Sequence, residues 1–134
     1  MWKPDEKSSI WGSISRAVRA PSRIENDFRI IAASGLITTG NPLMPVVPFN
    51  ISIYGDEAFD SEKLMAYELG YRVQPRENLS IDLAVFYNDY DSLITYEPLD
   101  AFSAYIANKM SAQATGFEMA FDWRPAPWWR MQAS

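Results

Sequence analysis

Neither cysteine nor histidine occurs in this chain. Without thiols there is no disulfide framework and no thiolate metal site. Without imidazole the commonest zinc ligand and general base are gone. Soft-metal sites and Ser-His-type catalysis are therefore excluded, and no cofactor is expected. Positive charge is also short: 12 Lys+Arg stand against 17 Asp+Glu in 134 residues, a formal net charge of -5. Nucleic acid needs a clustered positive face, so it is not an expected partner. Long apolar runs are missing too. A spanning helix needs about 18 apolar residues, whereas runs such as Ile30-Ile31-Ala32-Ala33 stop after a few. The opening Met1-Trp2-Lys3-Pro4-Asp5-Glu6-Lys7 has no apolar stretch behind its charges and does not read as a signal peptide. Hydropathy alone points to a water-soluble protein. That inference is unsafe for strands, which can conceal an apolar surface by alternating it with a polar one.

Aromatic side chains are plentiful, 14% of the chain with five Trp and seven Tyr. They fall into period-two runs. Across residues 64–74, Met65, Tyr67, Leu69, Tyr71 and Val73 oppose Leu64, Ala66, Glu68, Gly70 and Arg72. Strand side chains alternate sides, so this segment has one bulky apolar face and one small or charged face. Residues 79–96 begin likewise: Leu79, Ile81, Leu83, Val85 and Tyr87 oppose Ser80, Asp82, Ala84, Phe86 and Asn88. Over 106–123, Thr115, Phe117, Met119, Phe121 and Trp123 oppose Ala114, Gly116, Glu118, Ala120 and Asp122. A weaker alternation covers 8–20, and 128–134 opens a further strand. The spacing Leu79-x-Ile81-x-Leu83-x-Val85 breaks the three-and-four template of a helix.

The connections read as alternating short and long. Pro75-Arg76-Glu77-Asn78 and Arg124-Pro125-Ala126-Pro127 are tight turns, whereas 21–61 and 97–105 read as long loops. An up-and-down meander crossing a membrane has short turns on one side and long loops on the other. Trp2-Lys3-Pro4 and Trp123-Arg124-Pro125 each set an aromatic, a cation and a proline in order, as expected where a strand leaves an interfacial belt for a turn. The run 64–74 just meets the roughly 9–11 residues needed to cross the hydrocarbon layer, and the runs 79–96 and 106–123 exceed it. The pattern thus predicts an all-β, antiparallel up-and-down meander of about five strands, part of a transmembrane β-barrel. Tyr67, Leu69, Tyr71, Ile81, Leu83, Val85, Phe117, Met119, Phe121 and Trp123 would face outer-membrane lipid. Glu68, Arg72, Asp82, Glu118 and Asp122 would face the lumen.

Several segments resemble a known family. Ile10-Trp11-Gly12-Ser13-Ile14-Ser15-Arg16-Ala17-Val18-Arg19-Ala20-Pro21-Ser22-Arg23 is similar to the strand-and-exit motif of TonB-dependent outer-membrane receptors. Ser61-Glu62-Lys63-Leu64-Met65-Ala66-Tyr67-Glu68-Leu69-Gly70-Tyr71-Arg72 resembles the strand such receptors carry after a long external loop. Ala84-Val85-Phe86-Tyr87-Asn88-Asp89-Tyr90 and Thr115-Gly116-Phe117-Glu118 with Trp123 also fit. The resemblance implies a 22-stranded barrel with an N-terminal plug, of which residues 1–134 would be an excerpt lacking plug and closing strand. It also implies TonB-coupled uptake of a scarce nutrient in the outer membrane of a Gram-negative bacterium, an iron chelate such as a ferric siderophore first, with vitamin, haem and glycan as the alternatives that use the same barrel. The implied partners are lipid, the plug of the same protein and the TonB energy-coupling protein. No enzymatic activity is implied.

Candidate ligand contacts are few. Arg19 and Arg23, flanking Pro21 at the mouth of the first long loop, could attract an anionic ligand, but they read better as reaching headgroup phosphates. Phe49, Tyr54 and Phe59 in that loop could touch substrate, since external loops carry function. Asn88-Asp89-Tyr90-Asp91-Ser92 clusters oxygens as a calcium loop does but lacks EF-hand spacing, and reads better as a solvated strand top. The carboxylates on alternating strands lack the pocket a glycosidase pair needs. The competing reading is a soluble β-sandwich that binds carbohydrate with exposed aromatics; it would bury Leu79, Ile81, Leu83 and Val85 under a second sheet.

Overall fold

The computed structural model describes residues 1–134 apart from the side chain of Ile24. Its elements are β1 (Trp2–Asp5), β2 (Ser8–Arg19), α1 (Arg23–Asp27), β3 (Arg29–Asn41), β4 (Met44–Tyr54), β5 (Glu62–Arg76), β6 (Leu79–Asp100), β7 (Ser103–Ala126) and β8 (Trp129–Ala133). One eight-stranded sheet has the order β1-β2-β5-β6-β7-β4-β3, with β8 also on β7. The chain divides into two compact units, and β2, β5, β6 and β7 contribute residues to both.

The first unit comprises Met1–Ala17, Leu64–Tyr90 and Ala112–Ser134. Here the period-two runs form strands as expected, β5, β6 and β7 reaching beyond their alternating stretches and β2 and β8 stopping slightly short of theirs. Among the described residues no second sheet covers the apolar rows. Leu83 is 41% and Val85 50% exposed, which removes the β-sandwich reading. β7 and β8 pair antiparallel, Asp122 opposite Gln132 and Trp123 opposite Met131. β5 ends at Arg76 and β6 begins at Leu79, so their turn is only Glu77-Asn78. Among the described residues no helix is long and apolar enough to cross a membrane; strands are not concerned by that statement.

The second unit, Val18–Lys63 and Asp91–Ser111, corrects three expectations. First, residues 21–61 are not a structureless loop. They hold α1 and an antiparallel hairpin of β3 and β4; these two strands, with β1 at the start of the chain, raise the strand number from about five to eight. Prolines argued for a loop, because proline cannot donate to a ladder. Pro45, however, falls in the register shift between the Thr38–Val46 and Asn41–Met44 pairs, where no ladder N–H is called for. The reversal uses Gly40 at φ +74°, a left-handed conformation that glycine adopts without Cβ strain. Asn41 Oδ1 then accepts from Leu43 N at 2.9 Å.

Second, 97–105 is not a long loop: β6 runs to Asp100 and β7 restarts at Ser103. Asp100 Oδ1 accepts from Phe102 N at 2.7 Å across this two-residue turn. The strand ends escaped the period-two test because neither face there is consistently apolar. Connection length therefore does not alternate as the sequence suggested. Third, the sheet is mixed: β4 lies parallel to β7, with Ser52, Ile53 and Tyr54 opposite Ser103, Ala104 and Tyr105. Buried side chains in this unit are few: Phe59, Ile106, Ala107 and Ser52.

Candidate functional site

In the first unit the two faces of the strands differ chemically. On one, the Tyr67 and Tyr87 rings meet across β5 and β6 with centroids 6.1 Å apart. Leu69 lies over Gly12 on the same side, its Cδ1 3.9 Å from where a Cβ on that glycine would stand. Phe117 is 78% and Met119 53% exposed. Leu69, Tyr71 and Trp123 are exposed as well, whereas Ile81 and Phe121 are half-buried. This is a long row of bulky side chains without a protein cover.

The opposite face is polar and knitted across strands. Ser13 Oγ donates to Glu68 Oε2 at 3.0 Å, and Arg72 Nε donates to Asp82 Oδ1 at 2.5 Å. Asp122 accepts from Arg130 and, at 3.1 Å, from Gln132 Nε2, both on β8. Glu118 makes no hydrogen bond or ion pair among the described residues. The five candidates Glu68, Arg72, Asp82, Glu118 and Asp122 thus lie along one face, but they do not converge on one point. The face also carries two ring-on-glycine contacts that sequence reasoning missed. A methyl group on Gly70 would lie 2.1 Å from Cε2 of Trp11, and one on Gly116 would lie 2.5 Å from Cζ of Phe86. Each ring rests on the bare backbone of the next strand. The available signal was glycine inside a strand, which marks close approach.

In the second unit Arg19 and Arg23 have different surroundings. Arg19 is held by two carboxylates, Nε to Glu62 at 2.5 Å and the terminal nitrogen to Glu25 at 2.8 Å. Those two hydrogen bonds, Glu62 first, raise its pKa beyond an already high value. The Glu62 carboxyl is held below its ordinary value chiefly by Arg19, against a partial desolvation. Glu25 is lowered first by the backbone N–H of Ser22 and then by Arg19. Glu62 also accepts from the backbone of Ile94 at 2.8 Å. Arg19 therefore clasps the first turn of α1 to the start of β5. Arg23, on α1 itself, is exposed and makes no ion pair among the described residues.

The aromatics proposed as substrate contacts are used in packing. Phe59 is buried. Tyr54 lies under the Arg29 guanidinium at 5.4 Å. Phe49 covers Gly35 and meets Phe102 with centroids 5.7 Å apart. Around Ser92, Asn108 acts as a staple: its amide nitrogen donates to the Ser92 and Asp60 carbonyls at 2.7 and 3.1 Å, and its oxygen accepts from Asp60 N at 2.6 Å. Asp89, in the run considered for calcium, accepts from Gln113 at 3.2 Å. Among the described residues no three acidic groups are placed to share a metal ion.

In the first unit the strands thus have one bare apolar face and one cross-linked polar face, the two-sided pattern of β-barrel strands. The family model described as TonB dependent receptor-like, beta-barrel matches residues 1–134, and the chain belongs to that family. No curated protein matches it. Among solved structures, it is similar to the siderophore receptor PirA from Pseudomonas aeruginosa, with 20% identity and TM-score 0.67 over 98% of this chain and 26% of that one. It is also similar to PirA from Acinetobacter baumannii, with 18% identity and TM-score 0.62 over 90% of this chain and 19% of that one. A mutant of the ferric enterobactin receptor PfeA from Pseudomonas aeruginosa, in complex with enterobactin, gives 18% identity and TM-score 0.72 over 96% of this chain and 20% of that one. These likenesses show the fold. The chain spans about a fifth to a quarter of the length of these receptors.

Proposed function

We propose that residues 1–134 form part of the barrel of a TonB-coupled receptor that carries a scarce nutrient, a ferric siderophore first, across the outer membrane of a Gram-negative bacterium. The observation that carries this reading is the two-solvent wall of the first unit. Leaving Phe117 and Met119 to water would forfeit about 1.5–3 kcal/mol for each large apolar side chain left uncovered, so hydrocarbon is the environment that suits the row Tyr67, Leu69, Tyr71, Ile81, Leu83, Val85, Phe117, Met119, Phe121 and Trp123. The opposite face then lines the lumen. Arg72 with Asp82 and Asp122 with Arg130 neutralise each other there. Among the described residues Glu68 and Glu118 have no cationic partner, which suits a plug bearing basic or hydrogen-bond-donating groups.

Family membership and the likeness to siderophore receptors support a ferric chelate as cargo. An anionic chelate would be drawn more by Arg23 than by Arg19, whose charge is offset twice within hydrogen-bond distance. The protein acts by binding and passage, with no covalent chemistry asked of any residue. The test uses the full-length receptor in a host lacking its own siderophore receptors. TonB-dependent accumulation of radioactive iron from a panel of ferric chelates is expected. A product recovered as a detergent-independent soluble protein would end the receptor reading, and insertion with uptake of some other nutrient would end the siderophore assignment.

A further inference from the structure

Arg16 lies on a face of the first unit where a charge is unexpected. β2 is a continuous strand from Ser8 to Arg19, and its even-numbered residues share one side because strand side chains alternate. Gly12 marks which side that is: a Cβ there would stand 3.9 Å from Leu69, on the bare apolar face. Trp11 over Gly70 and Ser13 against Glu68 mark the polar one. Ile10, Ile14 and Arg16 therefore share the face of Leu69. Arg16 is exposed and, among the described residues, has neither an ion pair nor a hydrogen bond.

Its level on that face is fixed as well. Gly12 beside Leu69, Ser13 bonded to Glu68, and Gln74 N donating to the Lys7 carbonyl at 2.7 Å all belong to one antiparallel register. Continued, that register sets Ile14 opposite Tyr67 and Arg16 opposite Met65. Tyr67 in turn meets Tyr87 on β6. Two residues past Tyr87, on the same face, Asp89 accepts from Gln113 of β7. The face thus turns polar on β2, β6 and β7 one step beyond Ile14, Tyr67 and Tyr87. From Leu79 to Asp89 β6 advances ten residues, about 33 Å along the strand and about 25 Å upright at a tilt of about 40°. That is the height of the apolar band of a barrel, so Arg16 stands at the rim of the band.

A cation on a lipid face destabilises strongly at mid-membrane and little at the rim, where its stem stays in hydrocarbon and its head reaches polar groups. Asp89, the carboxylate at this level, is two strands away, about 10 Å at about 4.8 Å per strand, and is engaged by Gln113. The anion that a membrane surface offers is the headgroup phosphate, and a guanidinium fork matches it with two parallel N–H bonds. We propose that Arg16 is a lipid-anchoring residue that binds the phosphate of a headgroup at the rim beside Tyr67 and Tyr87. This rests on reading the first unit as a lipid-facing wall.

The experiment uses the full-length receptor, isotope-labelled at its arginine guanidinium nitrogens, in phosphatidylglycerol vesicles. Solid-state NMR reads the dephasing of those nitrogens by lipid phosphorus. Arg16→Lys keeps the charge and deletes one arginine signal, so the difference between the two receptors isolates Arg16. That signal should lose about half its intensity or more, as a nitrogen within hydrogen-bond reach of a phosphate does. No dephasing overturns the proposal, because Arg16 then faces water or a carboxylate. Equal dephasing in phosphate-free glycolipid vesicles with added inorganic phosphate overturns it too, because the ligand is then a free anion. A nitroxide on Val85→Cys separates the two readings. A label reached by oxygen, with Arg16 not dephased, sinks only the anchor; a label reached by a water-soluble nickel complex sinks the lipid-facing wall and the anchor with it.

Discussion

Replacing Gly70 by alanine probes how the strands of the first unit hold their register. The added methyl would lie 2.1 Å from Trp11 Cε2, 2.2 Å from Nε1 and 2.4 Å from Cζ2. Real contacts start near 3 Å or more, so the indole must rise off the backbone by about an ångström. Overpacking of this kind costs about 1–3 kcal/mol. Alanine returns about 0.5–1 kcal/mol through lower backbone entropy in the unfolded chain. The net loss for Gly70→Ala should therefore be about 0.5–2 kcal/mol. With Trp11→Ala already made, the ring is gone, and Gly70→Ala should be neutral or stabilising by up to about 1 kcal/mol. The double-mutant cycle should then show a coupling of about 1–3 kcal/mol. Equilibrium urea unfolding of the full-length receptor in detergent, followed by tryptophan emission, measures all four species. Equal effects of Gly70→Ala with and without Trp11 would refute the reasoning, since no ring would then be pressing on that backbone.

Other perturbations test the second unit. Ser92 has φ +58° without being glycine, so Ser92→Gly should stabilise by about 1 kcal/mol in urea unfolding, and Ser92→Val should destabilise by more. Asn108→Ala removes three hydrogen bonds around Asp60 and Ser92. It should cost about 1–3 kcal/mol and speed amide exchange at Asp60. The Glu25 and Glu62 carboxyls have folded pKa values below the usual 4.5. Their clasp on Arg19 is thus fully formed above the ordinary carboxylate value and is lost as pH falls through the lowered ones. Protection factors over residues 22–28 should hold from neutral pH to about 5 and drop below about 4. In Arg19→Gln they should be lower at neutral pH, with a smaller acid-dependent drop.

What was legible in the sequence follows the physics of patterning. β5, β6 and β7 alternate because each has one face for apolar surroundings and one for polar, and that contrast survives in the order of Leu79, Ile81, Leu83 and Val85 against Ser80, Asp82 and Ala84. β3 and β4 have no such contrast. Ile31 and Leu36 lie across from the Ile30 and Ile37 face, both sides of the ribbon are uncharged, and the period disappears. Gly40-Asn41-Pro42 was the available turn signal between them. The parallel contact of β4 with β7 rests on three residue pairs and leaves no local trace. Arg19 makes the same point for the site. Beside Pro21 it reads as a free cation awaiting an anion, and a sequence reports charge without its neighbours. One of its two partners, Glu62, lies 43 residues away along the chain and meets it only because β2 and β5 pair. Any electrostatic pull at this mouth must therefore be reckoned after that pairing, which leaves Arg23 as the arginine of the two whose field is not cancelled at contact distance.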